Sequence, residues 1–433
     1  MKVMRTVQAV AALAAVSLLA TGCSGGSLDN TPSSSSASGS GGTATLKIGF
    51  VSPQTGPLAG FGEADNFVID EMKKYFAANP IKAGDTTYTV EIVVKDAQSD
   101  SKRAGEVAAE LINTDGVDLV LAEGTPDIVN PVADQCEANA TPCITTVAPW
   151  QPFFLGRGGT AEKPFKWTYH FFWGLEDVAS AYQDMWNQIE TNKKVGGLFP
   201  NDPDGQAWEG AFPDMIKANG YTLNDPGLYP NGTQDFSAQI SSFKSNGDQI
   251  LTGVPIPPGF TTFWKQASQQ GYTPKIATIG KALLFPSSVE ALGDIANNLG
   301  TEVWWTPTYP FKSSLTGQSA KELADAYEAA TGKQWTQPIG FAESLFEVAS
   351  AAVVAAGGSD KQKVADALKT LKVDTVVGNL DWTSGPVPNV AKTPLTGGQW
   401  RKVSGSKYPF DLVIVSNSLA PSIPTGGKVE PLG

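Results

Sequence analysis

The chain has 433 residues, of which 41 % are hydrophobic and 17 % are charged, a composition typical of a globular protein rather than a disordered or fibrous one. A chain of this length is too long to fold around a single hydrophobic core and is long enough for two or three domains. The 31 Lys and Arg residues against 43 Asp and Glu give a net charge of −12, which argues against a nucleic-acid partner. A single histidine and three cysteines exclude multi-histidine chemistry, a disulfide scaffold and a four-cysteine zinc site.

Residues 1–22 have the pattern of an export signal. Lys2 and Arg5 form a short basic region, and an almost wholly apolar stretch follows it. This pattern, ending in small residues, is typical of a secretory signal peptide, and the apolar run falls short of the about 20 residues that span a bilayer. Gly22-Cys23 resembles a bacterial lipobox, in which the cysteine is lipidated and the preceding segment is removed. We expect a lipoprotein signal peptide; the alternative is an ordinary signal peptide that leaves Cys23 as a free thiol.

Residues 23–44 are rich in Ser and Gly and contain no aromatic residue. Such a segment cannot bury enough apolar surface to offset its ordering entropy, so we expect a flexible tether. Its end-to-end reach would be roughly 25 Å. A lipid on Cys23, this tether and a large globular body predict an extracytoplasmic protein that is anchored to a bacterial cell membrane.

From Leu46 onward, short apolar runs alternate with amphipathic stretches, which is the pattern of parallel sheets covered by helices on both faces. The sequence therefore predicts an α/β protein with two doubly wound domains. Strands are predicted at Leu46–Val51, Tyr88–Lys95, Leu119–Ala122, Ile144–Val147, Val195–Phe199, Gln249–Val254 and Ile276–Ile279. Helices are predicted at Glu63–Ala78, Lys102–Asn113, Ile128–Ala138, Glu176–Thr191, Gln206–Asn219, Phe236–Ser245, Gly259–Gln270, Ser319–Thr331, Gly340–Ala356 and Lys361–Thr370.

Shifts in composition suggest where the chain passes between the two domains. The stretch 149–166 is rich in Pro, Gly and aromatic residues, and a second probable crossing lies near 300–310. From Asp374 the chain is short of helix signals and predicts irregular strands and loops. The expected domains are 45–165 plus 303–372 for the first lobe, and 166–302 plus 373–433 for the second.

Four segments, in order along the chain, are similar to motifs of the type I periplasmic solute-binding proteins of the leucine/isoleucine/valine-binding class. They are IGFVSPQTGPLAGFG at 48–62, KDAQSD at 95–100, TQDFSAQI at 233–240, and FWKQA with a following glycine at 263–271. Each motif is weak alone, but four of them after a lipobox make the resemblance specific, and together they cover most of the chain between Leu46 and about Thr370.

The chain departs from the family's pattern at Pro149-Trp150, at HFFWG in 170–174 and at EVWW in 302–305. A branched-chain amino acid is therefore not carried over as the ligand. The resemblance implies two doubly wound parallel-sheet lobes, joined by three crossovers, that close like a Venus flytrap on a small molecule. It also implies delivery to the permease subunits of an ABC-type importer. No metal or cofactor is implied, and we expect a monomer.

The resemblance and the strand ends together suggest ligand contacts in the first lobe. Phe61 occupies the family's position for an apolar or aromatic contact, and its alternative is packing under the following helix. Thr125 and Thr146 match the hydroxyls that hold a ligand's head group in the family, and Ala148 lies beside Thr146 at the same strand end. Asp127 could meet a cationic group or, alternatively, cap the helix that it opens.

Aromatic residues near the predicted crossings are the next candidates. Trp150 offers a broad face to a ligand, or it plugs the hinge. His170 could line the mouth of the cleft, or it is structural. Trp304, Trp305 and Trp335 are expected to pack in the core or between the lobes.

In the second lobe, three residues follow predicted strands. Asp204 lies in NDPDG, which superficially resembles a calcium loop but has Pro200 and Ala211 where the first and last ligands should be. It is therefore expected in a turn, with a possible ligand contact. Pro255 and Lys281 end the next strands; Lys281 could pair with a ligand carboxylate or be solvated.

Cys136 and Cys143 lie six residues apart in an exported protein, so they could form a disulfide between a helix end and the next strand. The alternative is two buried thiols that pack as small hydrophobic groups.

Few features favour an enzyme. The chain contains neither a G-x-S-x-G elbow nor a P-loop, although a pair of carboxylates of the glycosidase kind is compatible with any acidic sequence. The sequence predicts a binding protein. The alternative function is a ligand-sensing receptor of the same fold that serves a signalling partner.

Overall fold

The structure is a computed structural model, and it describes residues 42–433. The predicted signal peptide, the lipidation site Cys23 and nearly all of the tether lie outside the described residues. The strands are β1 Gly42–Ser52, β2 Ile81–Ala83, β3 Thr86–Asp96, β4 Leu119–Glu123, β5 Cys143–Thr146, β6 Thr168–Phe171, β7 Lys194–Leu198, β8 Thr222–Asn224, β9 Ile250–Gly253, β10 Ile276–Ile279, β11 Gly300–Val303, β12 Lys372–Thr375, β13 Gly378–Asp381, β14 Val390–Ala391, β15 Thr396–Lys402 and β16 Phe410–Ser416.

The helices alternate with these strands over most of the chain. They are α1 Asp65–Ala78, α2 Ser101–Asn113, α3 Pro126–Ala138, α4 Trp150–Phe154, α5 Leu175–Trp186, α6 Pro203–Lys217, α7 Ser237–Asn246, α8 Pro257–Gln269, α9 Pro286–Glu290, α10 Ala320–Thr331, α11 Pro338–Ala356 and α12 Lys361–Leu368.

Two seven-stranded sheets carry the fold. The first sheet has the order β14-β6-β5-β4-β1-β3-β2, and all of its pairings are parallel except that between β2 and β3. The second has the order β16-β15-β11-β10-β9-β7-β8 and is parallel from β11 to β8, with β15 and β16 antiparallel at one edge. The expected α/β class, with two doubly wound, mainly parallel lobes, is confirmed.

Burial explains why the central strands form where they do. Every residue of β4, β9 and β10 is buried, as expected for apolar strands covered by helices on both faces. Helix α2 buries Ala104, Val107, Ala108, Leu111 and Ile112, which is the helical spacing of a single apolar face.

The chain passes between the sheets three times. It leaves the first sheet after β6, returns after β11 to place α11 against α1 and β4, and leaves again between β14 and β15. We therefore move two of the proposed lobe boundaries. β6 lies beyond the expected boundary at 166 and yet pairs in the first sheet, and β14 lies beyond the boundary at 373 and also joins the first sheet. The Pro- and aromatic-rich stretch 149–166 is a loop with a short helix that precedes the crossing.

The C-terminal tail is more regular than the sequence suggested. β15 and β16, each seven residues long, form six antiparallel residue pairs with an irregularity at Gly397/Gly398 and extend the second sheet. Their Gly-rich and mixed sequence, TGGQWRK in β15, lacks the alternation that marks a strand, so the pairing depends on β11 beside them. Helix α11 is long and apolar enough to cross a membrane by composition, but most of it is buried in the core of the first lobe.

Cys136 in α3 and Cys143 in β5 are both free and fully buried. The thiols lie close enough to interact, and burial, followed by the neighbouring thiol, raises the pKa of Cys136. The structure therefore shows the alternative of two packed thiols rather than the disulfide.

Candidate functional site

A narrow cavity of about 20 Å³, enough for about one water molecule, lies where the two sheets face each other. Most of its wall comes from residues at or just after the carboxyl ends of strands, the usual place for a ligand in open α/β sheets. The first lobe and its crossing contribute Phe61, Thr125, Val147, Pro149, Phe172 and Trp173. The second lobe and its crossing contribute Asp204, Trp208, Val254, Lys281, Leu284, Glu302 and Trp304.

A buried charge cluster forms the polar part of the second-lobe wall. Lys281 Nζ lies 3.0 Å from Asp202 Oδ2 and 2.9 Å from Asp204 Oδ2, and all three side chains are about 95 % or more buried. Burial opposes the charge of Lys281, but the carboxylates outweigh it and raise the pKa of the lysine. Burial raises the pKa of Asp204 to about 6, against the opposing effect of Lys281. Lys281 is therefore already paired twice and is not solvated.

Helix α6 explains how the two aspartates are positioned. Asp202 is its N-cap, and its Oδ1 accepts a hydrogen bond of 2.8 Å from the backbone N–H of Gly205. Asp204 lies in the first turn, where the helix dipole favours a carboxylate. Because Oδ1 of Asp202 caps the helix, Oδ2 is the oxygen that pairs with Lys281.

Asp127 adds a third carboxylate from the opposite lobe. It lies in the first turn of α3, whose N-cap is Thr125, so it is not itself the cap. Burial raises the pKa of Asp127, Lys281 lowers it, and Asp202 raises it, which places the charges of both lobes within reach of each other.

Glu302, near the end of β11, is a further buried acid at the cavity. Its carboxylate accepts hydrogen bonds from Tyr182 Oη and, at 3.2 Å, from Thr301 Oγ1. Burial raises the pKa of Glu302 to about 7 in spite of these bonds. Its charge therefore changes near neutral pH.

Two residues of the cavity wall have a strained backbone. Val147 has φ +70° and Lys281 has φ +52°, in the left-handed region that residues with a side chain rarely adopt, least of all a β-branched one. Such strain persists only where the surrounding structure holds it, and it concentrates at functional sites.

Aromatic rings join the two lobes at the cavity. Phe61 packs edge-on against Phe285 with ring centres 4.9 Å apart, and Trp304 packs edge-on against Phe172 at 5.2 Å. Trp208 stacks on Phe212 at 4.4 Å within the second lobe.

The structure brings four of the predicted ligand contacts to the cavity wall: Phe61, Thr125, Asp204 and Lys281. Thr146, Ala148, Trp150 and Pro255 lie outside it, and their binding role is not supported by their positions. Thr146 Oγ1 donates to the carbonyl of Phe171 at 2.6 Å and so ties β5 to β6. Pro255 and Ala148 are buried beside wall residues.

Trp150 does not line the cavity and instead contacts residues next to two of the crossings. Its Nε1 donates to Glu176 Oε1 at 3.1 Å, and the same oxygen receives Lys392 Nζ at 2.9 Å. Because Lys392 lies in the third crossing and Glu176 just follows the first, this contact matches the hinge role that the sequence left as the alternative.

His170 is fully buried in the first sheet and not at the mouth of the cleft. Nε2 donates to the carbonyl of Ala148 at 2.7 Å, so Nδ1 accepts from Thr145 Oγ1 at 2.8 Å. The ring stacks on Phe153 at 4.2 Å. Burial lowers the pKa of His170 to about 3, so the ring is neutral and its role is structural.

Replacing His170 by phenylalanine tests that role. We expect a loss of about 1–2 kcal/mol in unfolding free energy at pH 7, because Ala148 and Thr145 lose a buried partner while the stacking remains. Denaturant unfolding measures the loss, and ligand affinity should not change. A large drop in affinity without a drop in stability would instead place His170 in the binding site.

Several wall residues were missed or assigned to packing from the sequence. Trp173, Trp208, Glu302 and Trp304 line the cavity. The available signal was position along the chain. Glu302 lies near the end of β11 and Trp304 directly follows it, and Trp173 lies shortly after β6, but the sequence analysis predicted neither strand.

Comparison with known proteins agrees with this architecture. Residues 45–404 match the sequence pattern of a family described as periplasmic binding protein. The Leucine-, isoleucine-, valine-, threonine-, and alanine-binding protein of Pseudomonas aeruginosa is 26 % identical over 361 residues, which are 78 % of this chain and 85 % of that protein.

Solved structures show the same fold. The leucine binding protein LivK of Thermotoga maritima superposes with a TM-score of 0.69 at 21 % identity, over 86 % of this chain and 99 % of that one. A solute binding protein of an ABC transporter from Rhodopseudomonas palustris, solved with 3,4-dihydroxy benzoic acid, gives 0.68 at 18 % identity, over 87 % and 99 %. The chain belongs to the periplasmic binding protein family, in the type I group that includes the Leu/Ile/Val-binding proteins.

Proposed function

We propose that this protein captures a small molecule outside the cytoplasm and presents it to an ABC-type importer without altering it chemically. The observation that carries the proposal is the cavity itself, whose wall is shared between two sheets and ends in buried, strained and charged residues. Its volume of about 20 Å³ holds about one water molecule, so a ligand would enter only with the lobes further apart. The names of the relatives supply amino acids and aromatic acids as the ligand range, and we add amides to it.

Closure of the lobes is the proposed mechanism. A ligand that contacts both walls favours the closed population by the difference in its affinity for the two states. The contact of Phe61 in the first lobe with Phe285 in the second is an inter-lobe contact expected of a closed form.

We further propose that Cys23 carries a lipid and that residues 24–41, up to the start of β1 at Gly42, tether the body to the membrane, within reach of a permease. A sensor of the same fold would share all of these features except the permease. Uptake of a radiolabelled ligand in cells that lack the gene, with and without the restored chain, separates the two functions, because a sensor does not move the ligand.

Replacing Gly60 by alanine is expected to weaken ligand binding roughly 5- to 150-fold by hindering closure. A Cβ at this position would lie 2.8 Å from the ring of Phe285 in the other lobe, and opening the lobes relieves that contact. The measurement is isothermal titration calorimetry with whichever of leucine, leucinamide or 4-hydroxybenzoate binds the wild type.

The matched control is Gly210→Ala on α6, where no atom other than those of its chain neighbours and the nearby backbone of the same helix lies within 4 Å of the added Cβ. It should bind as the wild type does. Small-angle scattering should show ligand-dependent compaction in the wild type and the control, and less of it in the Gly60 variant. Equal affinity and equal compaction in both variants would count against closure. Turnover of any bound compound would refute the proposed function.

A further inference from the structure

We infer that the cavity prefers a small organic cation that also carries a hydrogen-bond-accepting oxygen, such as an amino amide, over a carboxylate anion. This inference rests on the proposed function and narrows its ligand class. Three observations on the cavity wall carry it: the charge that is left after pairing, an unpartnered carboxylate oxygen, and unpartnered indole N–H groups.

The first observation is the balance of charge. Among the described residues that line the cavity, Lys281 is the one cation, and Asp202 and Asp204 both hold it at about 3 Å. Asp127 faces the same group from the other lobe. Three carboxylates around one ammonium leave two negative charges, before Glu302 is considered.

This excess of negative charge disfavours an anionic ligand. Lys281 is 96 % buried and is held by two carboxylates, so it has no free side from which to neutralise a third. A ligand carboxylate would enter a buried region that already has excess negative charge, where like charges are costly. A ligand ammonium would reduce that excess.

The second observation is Asp204 Oδ1. Asp204 is 2 % exposed, and its Oδ2 pairs with Lys281, but its Oδ1 is buried without a hydrogen-bond partner among the described residues. A buried carboxylate oxygen of this kind is costly unless something donates to it. Because Asp204 lines the cavity, a cationic N–H group of the ligand is the donor that the site lacks.

The third observation concerns the indole N–H groups. Away from the cavity wall, those of Trp150, Trp186, Trp264 and Trp400 each donate to a protein oxygen, whereas those of Trp305 and Trp382 are buried without a partner among the described residues. All three tryptophans of the cavity wall, Trp173, Trp208 and Trp304, have a buried Nε1 without a partner.

Buried indole N–H groups normally find an acceptor. The three at the cavity wall, unlike Trp305 and Trp382, adjoin a space in which a bound ligand can supply the acceptor. Since the remaining charge disfavours a carboxylate, a neutral carbonyl or hydroxyl oxygen fits these donors. The wall thus offers an acceptor for a cation at Asp204 and donors for an oxygen at the tryptophans.

The test is calorimetry on the full-length protein in mild detergent with compounds that share a skeleton. Leucinamide is the cation with a carbonyl oxygen, leucine the zwitterion, 3-methylbutylamine the cation without oxygen and 4-methylpentanoate the anion; tyramine and 4-hydroxybenzoate form an aromatic pair. We expect leucinamide and tyramine to bind roughly a hundredfold or more tightly than 4-methylpentanoate and 4-hydroxybenzoate, with leucine between them.

Two kinds of variant locate the effect. Asp204→Asn keeps the shape but removes a charge, and it should weaken leucinamide at least roughly tenfold; Asp214→Asn, exposed on the same helix α6, should not. Phenylalanine at Trp173, Trp208 or Trp304 removes the N–H and keeps a ring. At least one of these variants should weaken leucinamide about 2- to 10-fold and leave 3-methylbutylamine unchanged.

Tighter binding of 4-hydroxybenzoate or 4-methylpentanoate than of their cationic partners would overturn the inference and leave the proposed function intact. The inference would also be overturned if leucine bound and neither cation showed detectable binding. If no tryptophan variant distinguishes leucinamide from 3-methylbutylamine, the part that concerns the oxygen is wrong. The proposed function fails separately, if neither these compounds nor a wider panel of amino acids and aromatic acids binds.

Discussion

Replacing Lys281 by methionine is expected to lower the free energy of unfolding at pH 8 by about 3–5 kcal/mol, the range for breaking a buried ion pair from one side. The side chain would be similar in length, but Asp202 and Asp204 would lose their shared counter-ion at 3.0 and 2.9 Å. With Asp127 nearby, three carboxylates would remain without an opposite charge.

The loss of unfolding free energy in the Lys281 variant should depend on pH. The protonation of the surrounding carboxylates determines whether the loss grows or shrinks as pH rises. Without Lys281, the pKa of Asp204, already about 6 with the lysine present, would rise further. Protonation then removes the repulsion, so the destabilisation should be smaller at pH 5 than at pH 8. Chemical denaturation at both pH values measures it.

Lys265→Met provides the control, because Lys265 is exposed on α8 of the same lobe and makes no ion pair with a described residue. It should change stability by less than about 0.5 kcal/mol. An equal loss for both variants, or a loss at Lys281 that does not vary with pH, would mean that the cluster is not held by its charges.

Sequence reasoning was strong where periodicity and burial coincide. Strand β10 was predicted with the bounds that the structure has, Ile276–Ile279, and α1, α2, α3, α10 and α11 were located within two residues at each end. These elements have an apolar face or a fully apolar run, which is the signal that periodicity detects.

Reasoning from sequence was weaker where pairing depends on distant parts of the chain. β6, β11, β15 and β16 were not predicted as strands of particular sheets, because their sequences are short, mixed or Gly-rich and each is stabilised by neighbours far away in sequence. The second crossing, expected near 300–310, does lie where the chain leaves β11, but missing β6, β15 and β16 misplaced the first crossing and hid the third.

The site shows the same division. Residues that directly follow a recognised strand, such as Thr125 and Lys281, could be placed at the cavity from the sequence. Their partners could not, because which carboxylates surround Lys281 depends on how α3 and α6 are brought together. The sequence suggested that Lys281 could pair with a ligand carboxylate. The structure instead shows it already paired with carboxylates of the protein.

A second buried acid group gives the other large effect. Asp65, at the start of α1, and Glu123, at the end of β4, are both fully buried, and their four carboxylate oxygens lack hydrogen-bond partners of ordinary geometry among the described residues, as does the adjacent Ser52 Oγ. Burial raises the pKa of Asp65, and burial followed by the charge of Asp65 raises the pKa of Glu123 well above its usual value.

The direction of the effect follows from these shifts. A carboxyl whose pKa is raised in the folded state holds a proton that the unfolded chain has released, so its contribution to stability is complete below about pH 4 and is lost as pH rises through the folded pKa. Glu302 and Glu347, each with a pKa raised to about 7 by burial, act in the same direction. We expect the protein to be less stable at pH 8 than at pH 6.

Replacing Glu123 by glutamine should therefore stabilise the protein at pH 8 by about 3 kcal/mol and change little at pH 4, because at pH 8 the buried carboxyl must either carry a charge or keep a proton that the unfolded chain has released. The glutamine amide can also donate to Asp65, which no described group now does with ordinary geometry. Glu162→Gln, at an exposed loop position, should be neutral at both pH values. A destabilised Glu123 variant at pH 8 would show that the carboxylate has a partner that offsets its burial, and stabilisation that is equal at pH 4 and pH 8 would show that charge is not its cause.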